Sequence, residues 1–152
     1  MLNVVPRFGE SKHKRLFVGF ALDGATSKTM LHAIGELASS GVPGRFETAE
    51  KLHVTLAFLG FVDTENVAPL VEALRGVVRG VARFRVRFDL VSAFPNERRA
   101  RIIWAGARKA EPAFTDLAES VRAAARQFAR LDENETILHV TLARLRDAPM
   151  TL

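Results

Sequence analysis

The 152-residue chain contains no cysteine, which excludes a disulfide framework, a thiolate zinc site and a cysteine nucleophile. Any catalysis must therefore use oxygen or nitrogen side chains. Glycine and proline are sparse, at ten and six residues, too few for a collagen-like or low-complexity chain. An apolar content of 48% is too high for general disorder. No apolar run approaches the length of a bilayer span, and residues 1–14 hold no uninterrupted apolar stretch followed by a small-residue cleavage site. A folded cytoplasmic protein is expected. The 22 Lys and Arg against 17 Asp and Glu leave a formal charge of +5, which favours a phosphate-bearing partner but is also what solubility alone explains.

The order of elements follows from periodicity. Residues 1–14 are polar and basic without a repeat, and are expected to form a mobile arm ahead of one compact domain over 15–152. Leu16-Phe17-Val18-Gly19-Phe20-Ala21, closed by Asp23-Gly24, reads as a buried strand starting near Arg15. Met30, Leu31, Ile34, Leu37 and Ala38 recur at helical spacing from Thr26 until Ser39-Ser40-Gly41. Arg45-Phe46 reads as a short strand, and Leu52–Leu59 as a longer one bounded by Gly60. A second helix, capped by Asp63 or Thr64, carries Val67, Leu70, Val71, Leu74 and Val78 and stops at Gly80. Apolar and charged residues alternate strictly over Phe84–Leu90, the pattern of an antiparallel strand with one wet face. Phe94–Arg99 reads as a turn and Arg101–Gly106 as a strand, together a hairpin. Pro112 opens a third helix whose apolar face runs to Leu131, and Ile137–Ala143 is the last strand. The whole is an α+β pattern with antiparallel character, best fitted by one body of two lobes.

Within that order one pentapeptide occurs twice. His53-Val54-Thr55-Leu56-Ala57 and His139-Val140-Thr141-Leu142-Ala143 are both HVTLA, and an internal duplication accounts for them better than chance. On a strand, His and Thr two residues apart share a face, so Val54, Leu56, Val140 and Leu142 are expected in the core, with His53, Thr55, His139 and Thr141 converging on a cleft. Two imidazoles across a cleft can serve as general base and general acid in one turnover, and the threonine hydroxyls can donate to phosphate oxygens. No carboxylate stands at ligand spacing from either histidine, the nearest upstream acids being Glu50 and Glu135, so chemistry without a metal or other cofactor is expected.

The doubled HxTL motif, an RLFV first strand, HVTLAFLG at 53–60, RIIW at 101–104 and HVTLAR at 139–144 resemble the 2H phosphoesterases. The branch it is most similar to is the bacterial and archaeal RNA 2′,3′-cyclic phosphodiesterases, also called 2′-5′ RNA ligases. The resemblance covers about Arg15 to Arg146. It implies a bilobal pseudo-twofold fold with two antiparallel sheets flanking a central groove and helices outside. It further implies metal-independent opening of RNA 2′,3′-cyclic phosphate ends to 2′-phosphomonoesters; some members also join tRNA fragments reversibly through a 2′-5′ linkage.

Carried over by position, His53 and His139 match the catalytic histidines, and Thr55 and Thr141 match the phosphate-binding threonines. Arg144 matches a basic residue that contacts phosphate, and Arg45-Phe46 matches a segment where an aromatic ring stacks on a base. Near-symmetry leaves the two histidine roles open; His139 is taken as base and His53 as acid. Two positions depart from the family: Leu138 stands where members often have proline, and the chain ends at Leu152 where members usually continue into a further strand.

A non-catalytic RNA-binding module of the same fold and a phosphodiesterase acting on small cyclic nucleotides are the rival readings. Lys12–Arg15 and Arg98-Arg99-Arg101 could follow RNA phosphates or merely be solvated surface. The expected partner is RNA with cyclic phosphate ends, with no membrane, no obligate protein partner and a monomeric state.

Overall fold

The computed structural model describes residues 12–132 and 134–145. Residues 1–11 of the expected arm fall outside the described residues, and its last two, His13 and Lys14, already belong to the first strand. The elements are β1 (His13–Ala21), α1 (Gly24–Ser39), β2 (Gly44–Phe46), β3 (His53–Asp63), α2 (Val67–Arg79), β4 (Leu90–Phe94), β5 (Ile102–Gly106), α3 (Pro112–Ala125) and β6 (His139–Leu145). Strand neighbours run β1-β3-β6-β5-β4, with β2 also pairing β6.

The chain forms two compact units, each built from three separated stretches. Unit 1 takes the segment ending at Phe20, Thr55–Val86 and Ala110–Ile137. Here α2 packs on α3, burying Leu70 and Leu74 from one and Phe114, Ala118, Val121 and Ala125 from the other. Each large apolar side chain so covered contributes about 1.5–3 kcal/mol. The strand β3 passes Gly60, which was expected to end it. A φ of 64° at this glycine inserts a local kink, and burial shifts from Leu59 to Val62, a spacing of three in place of two. The helix α3 stops at Ala125, short of Leu131. The buried Arg122 guanidinium donates to the Asp132 backbone carbonyl and pairs with its carboxylate at 3.3 Å, which ties the returning chain to the last helical turn.

Unit 2 takes Ala21–Val54, Arg87–Lys109 and the segment beginning at Leu138. Asp23 caps α1, its carboxylate accepting from the Thr26 N–H at 2.8 Å; this bond holds the carboxyl below its ordinary range. The α1 helix packs on β6 and buries Met30 and Ile34. β6 is the central strand: β5 lies along one edge, while Val54 at the start of β3 and then all of β2 pair along the other. A hairpin with β5 forms, but its first strand is Leu90–Phe94 in place of the expected Phe84–Leu90, and Phe94, expected in the turn, is the last residue of that strand and pairs with Ile102. Over 82–89 the expected alternation survives in exposure, with Phe84, Val86 and Phe88 less exposed than the arginines between them, yet the stretch lies in no strand. Alternation reports one wet face; it does not supply the neighbour whose hydrogen bonds make a strand.

Candidate active site

Residues directly opposite in an antiparallel ladder point to the same face, so the register assigns faces in unit 2. Gly106, Trp104 and Ile102 of β5 stand opposite His139, Thr141 and Arg144 of β6. Ser92 and Phe94 of β4 stand opposite Trp104 and Ile102, and Arg45 of β2 stands opposite Arg144. These residues share one face. The other carries Val54, Ile103, Ala105, Val140 and Ala143, all nearly inaccessible. Because Val54 pairs with Val140 on that buried side, His53 projects onto the same face as His139 and Thr141.

Arg144 joins them through a bulge. The register steps from Ile103 opposite Ala143 to Trp104 opposite Thr141, so Leu142 is an extra residue on β6. Both Leu142 and Ala143 are fully buried, and Arg144 is returned to the face of Thr141. In a regular strand a residue three beyond Thr141 would face the opposite way.

His53 Nδ1 lies 2.6 Å from the Lys51 carbonyl oxygen. A carbonyl only accepts, so Nδ1 carries the hydrogen and donates, leaving Nε2 as the atom that can take or give a proton. His139 sits against two rings: Phe94 at 5.2 Å and 89°, and Trp104 at 6.0 Å and 70°. Those two rings stack on each other at 5.0 Å and 23°. The indole lies over Gly106, where an added Cβ would come within 2.5 Å of Trp104 Cζ3 and of the Leu138 carbonyl oxygen. Trp104 Nε1 is buried with no acceptor among the described residues, a cost of about 1–3 kcal/mol that ring packing must offset.

Arg144 donates from Nε to Glu47 Oε1 at 3.2 Å. The Glu47 side chain is only 10% exposed against 48% for Arg144, so a nearly buried carboxylate orients a half-exposed guanidinium through Nε, leaving its two terminal nitrogens outside that bond. Glu47 is itself fixed by its N–H donating to the Leu142 carbonyl at the bulge, 2.9 Å away.

Of the residues singled out from sequence, His53, His139, Thr141, Arg144 and Arg45 therefore share one face of unit 2. Thr55 follows His53 on the same face of β3 but is the first residue of unit 1, and it is buried. Phe46 does not join them. It stands opposite Ala143, on the buried face, so its ring is not presented beside the histidines for stacking on a base. The other two histidines are surface residues paired with carboxylates, His13 with Asp63 and His32 with Glu36. Among the described residues no group of three or more His, Asp or Glu side chains could hold a metal ion.

Glu47, Phe94, Trp104 and Gly106 were not read as functional from the sequence. Glu47 lies 97 residues from Arg144, and nothing local connects them. For Phe94 and Trp104 the deciding fact is the hairpin register, which sets both on the face of His139 and is not readable from either strand alone.

A sequence model of the family described as LigT like phosphoesterase matches residues 24–104, a stretch that includes the first HVTLA copy and ends before the second. An RNA 2′,3′-cyclic phosphodiesterase of Archaeoglobus fulgidus is 34% identical over 133 residues, covering 87% of this chain and 73% of that protein. One from Aquifex aeolicus is 26% identical over 144 residues, covering 87% and 71%. The chain also superposes on Escherichia coli LigT complexed with 3′-AMP with a TM-score of 0.72 at 28% identity, over 92% of this chain and 76% of that one.

Proposed function

The chain belongs to the family of LigT-like phosphoesterases, and from that premise we propose that it hydrolyses RNA 2′,3′-cyclic phosphate ends to 2′-phosphomonoesters, with His53 and His139 as the acid–base pair. The observation that carries this reading is the doubled HVTLA, whose two histidines project from the one face that also bears Thr141 and Arg144.

In the step proposed, His139 takes a proton from water as the water oxygen bonds to phosphorus, in line with the 3′ oxygen. The bond from phosphorus to the 3′ oxygen breaks, and His53 delivers the Nε2 proton to that oxygen. The product keeps the phosphate on the 2′ oxygen and gains a free 3′ hydroxyl. His139 ends protonated and His53 neutral, so exchange with solvent resets the pair. The Lys51 carbonyl fits the acid role: with Nδ1–H engaged, the protonated ring has its remaining N–H at Nε2 and nowhere else. Thr141 and Thr55 donate hydroxyl hydrogens to the non-bridging oxygens, and Arg144 meets the same charge with its terminal nitrogens. Arg45, across the ladder from Arg144, adds positive charge where an RNA backbone would run. Joining two RNA ends through a 2′-5′ bond is the same displacement with an RNA 5′ hydroxyl in place of water: its oxygen bonds to phosphorus, the bond to the 3′ oxygen breaks, and the phosphate stays on the 2′ oxygen.

The test is to incubate the protein, in EDTA, with a short RNA ending in a 2′,3′-cyclic phosphate and map the product by phosphatase sensitivity and mass. A 2′-phosphate is the expected product. Salt-dependent binding without turnover would transfer the reading to an RNA-binding module, and turnover confined to mononucleotide cyclic phosphates would transfer it to small-molecule substrates.

A further inference from the structure

An imidazole on a strand is not oriented by the strand alone. Its χ2 torsion joins an sp³ to an sp² carbon and is broad, so a ring swings unless something beside it resists. For an acid or base, that swing moves the reacting nitrogen out of line with the proton it transfers. His53 is held by a backbone carbonyl two residues away. Beside His139 stand two rings from other strands, with Phe94 almost perpendicular to it and Trp104 nearly so.

We propose that Phe94 and Trp104 are positioning residues that fix the rotation of the His139 imidazole, and that Gly106 is the side-chain-free position that lets the indole take its place in that wall. This rests on the reading of His139 as one of the acid–base pair. Three observations carry it. The rings of Phe94 and Trp104 are stacked on one another, so each resists displacement of the other. The register sets Trp104 and Gly106 opposite Thr141 and His139, which makes the wall part of the sheet and not of a loop. The space above Gly106 is already filled by the indole to within 2.5 Å of where a Cβ would stand. Perpendicular contact is also a favoured geometry between aromatic rings.

The test compares Phe94→Leu, which removes the planar ring, with Phe94→Tyr, which keeps it. Activity is read on an RNA with a 2′,3′-cyclic phosphate end, and the His139 ring resonances, assigned by their loss in His139→Ala, are read by NMR. The leucine variant is expected to lose about tenfold in kcat with KM within about twofold, because a misaligned base costs the chemical step more than binding. The tyrosine variant should recover most of that loss. The His139 resonances should be ring-current shifted in the parent protein and lose that shift in the leucine variant. If the leucine variant does not fold, Phe94→Met replaces it.

Unchanged kcat, a loss confined to KM, or unmoved His139 resonances would overturn the positioning role. Should the parent protein fail to turn over the RNA at all, the proposed function fails, while the resonances still decide whether the wall fixes the ring.

Discussion

In the first HVTLA copy, Val54, Thr55, Leu56 and Ala57 are all buried along a strand that leaves unit 2 for unit 1. In the second, the strand bulges at Leu142 and Thr141 stays partly open. The same five residues thus meet different surroundings. His53 is held by a main-chain carbonyl two positions upstream, a contact that any local sequence with the same backbone would reproduce. His139 is enclosed by side chains brought from β4 and β5. Duplication supplies the pair of chemical groups; the tertiary surroundings decide how each is oriented, and the rings of Phe94 and Trp104 beside His139 are open to change by side-chain substitution.

The largest effects are expected at the histidines themselves. His53→Ala and His139→Ala should each lower kcat/KM by at least ~100-fold with the fold retained, measured on cyclic phosphate RNA and by circular dichroism. If only one of them matters, the copies are not equivalent in chemistry. Next comes Gly106→Ala, in the wall beside His139. Its added Cβ meets Trp104 and the Leu138 carbonyl, and overpacking of this kind costs about 1–3 kcal/mol, seen as a lowered midpoint in denaturant. A midpoint within error of the parent would show that the wall yields freely.

What was legible in the sequence divides along the same line. The strand with HVTLA, the short β2, β5 and the buried Leu70 and Leu74 of α2 followed from period and punctuation, because each is a local pattern. The face of Arg144 was not legible, since a spacing of five from His139 puts it on the wrong side until the bulge at Leu142 is known. Phe84–Leu90 misled for the converse reason: its alternation is real in exposure but is not accompanied by a ladder. The even–odd rule likewise separates Arg45 from Phe46, and only the pairing with β6 tells which of them faces the histidines.

Arg144→Lys sharpens the role of the bulge. Lysine keeps the charge but loses the planar fork, so kcat/KM should fall about tenfold with little change in stability; unchanged kinetics would remove Arg144 from the site. Smaller still is Glu47→Gln. It keeps the shape beside Arg144 Nε and removes the charge, and a rise in KM of about threefold, roughly 0.7 kcal/mol, is expected. An unmoved KM would mean that Arg144 needs no partner to hold it.

If the two histidines act as a unit in one proton-transfer cycle, removing the second after the first costs little, and a double-mutant cycle measures that cost. Measured on RNA ending in a 2′,3′-cyclic phosphate, His53→Ala and His139→Ala should each cost at least ~100-fold, and the double variant little more than either alone. Losses that simply multiply in the double variant, or near-parental turnover in either single one, would contradict it.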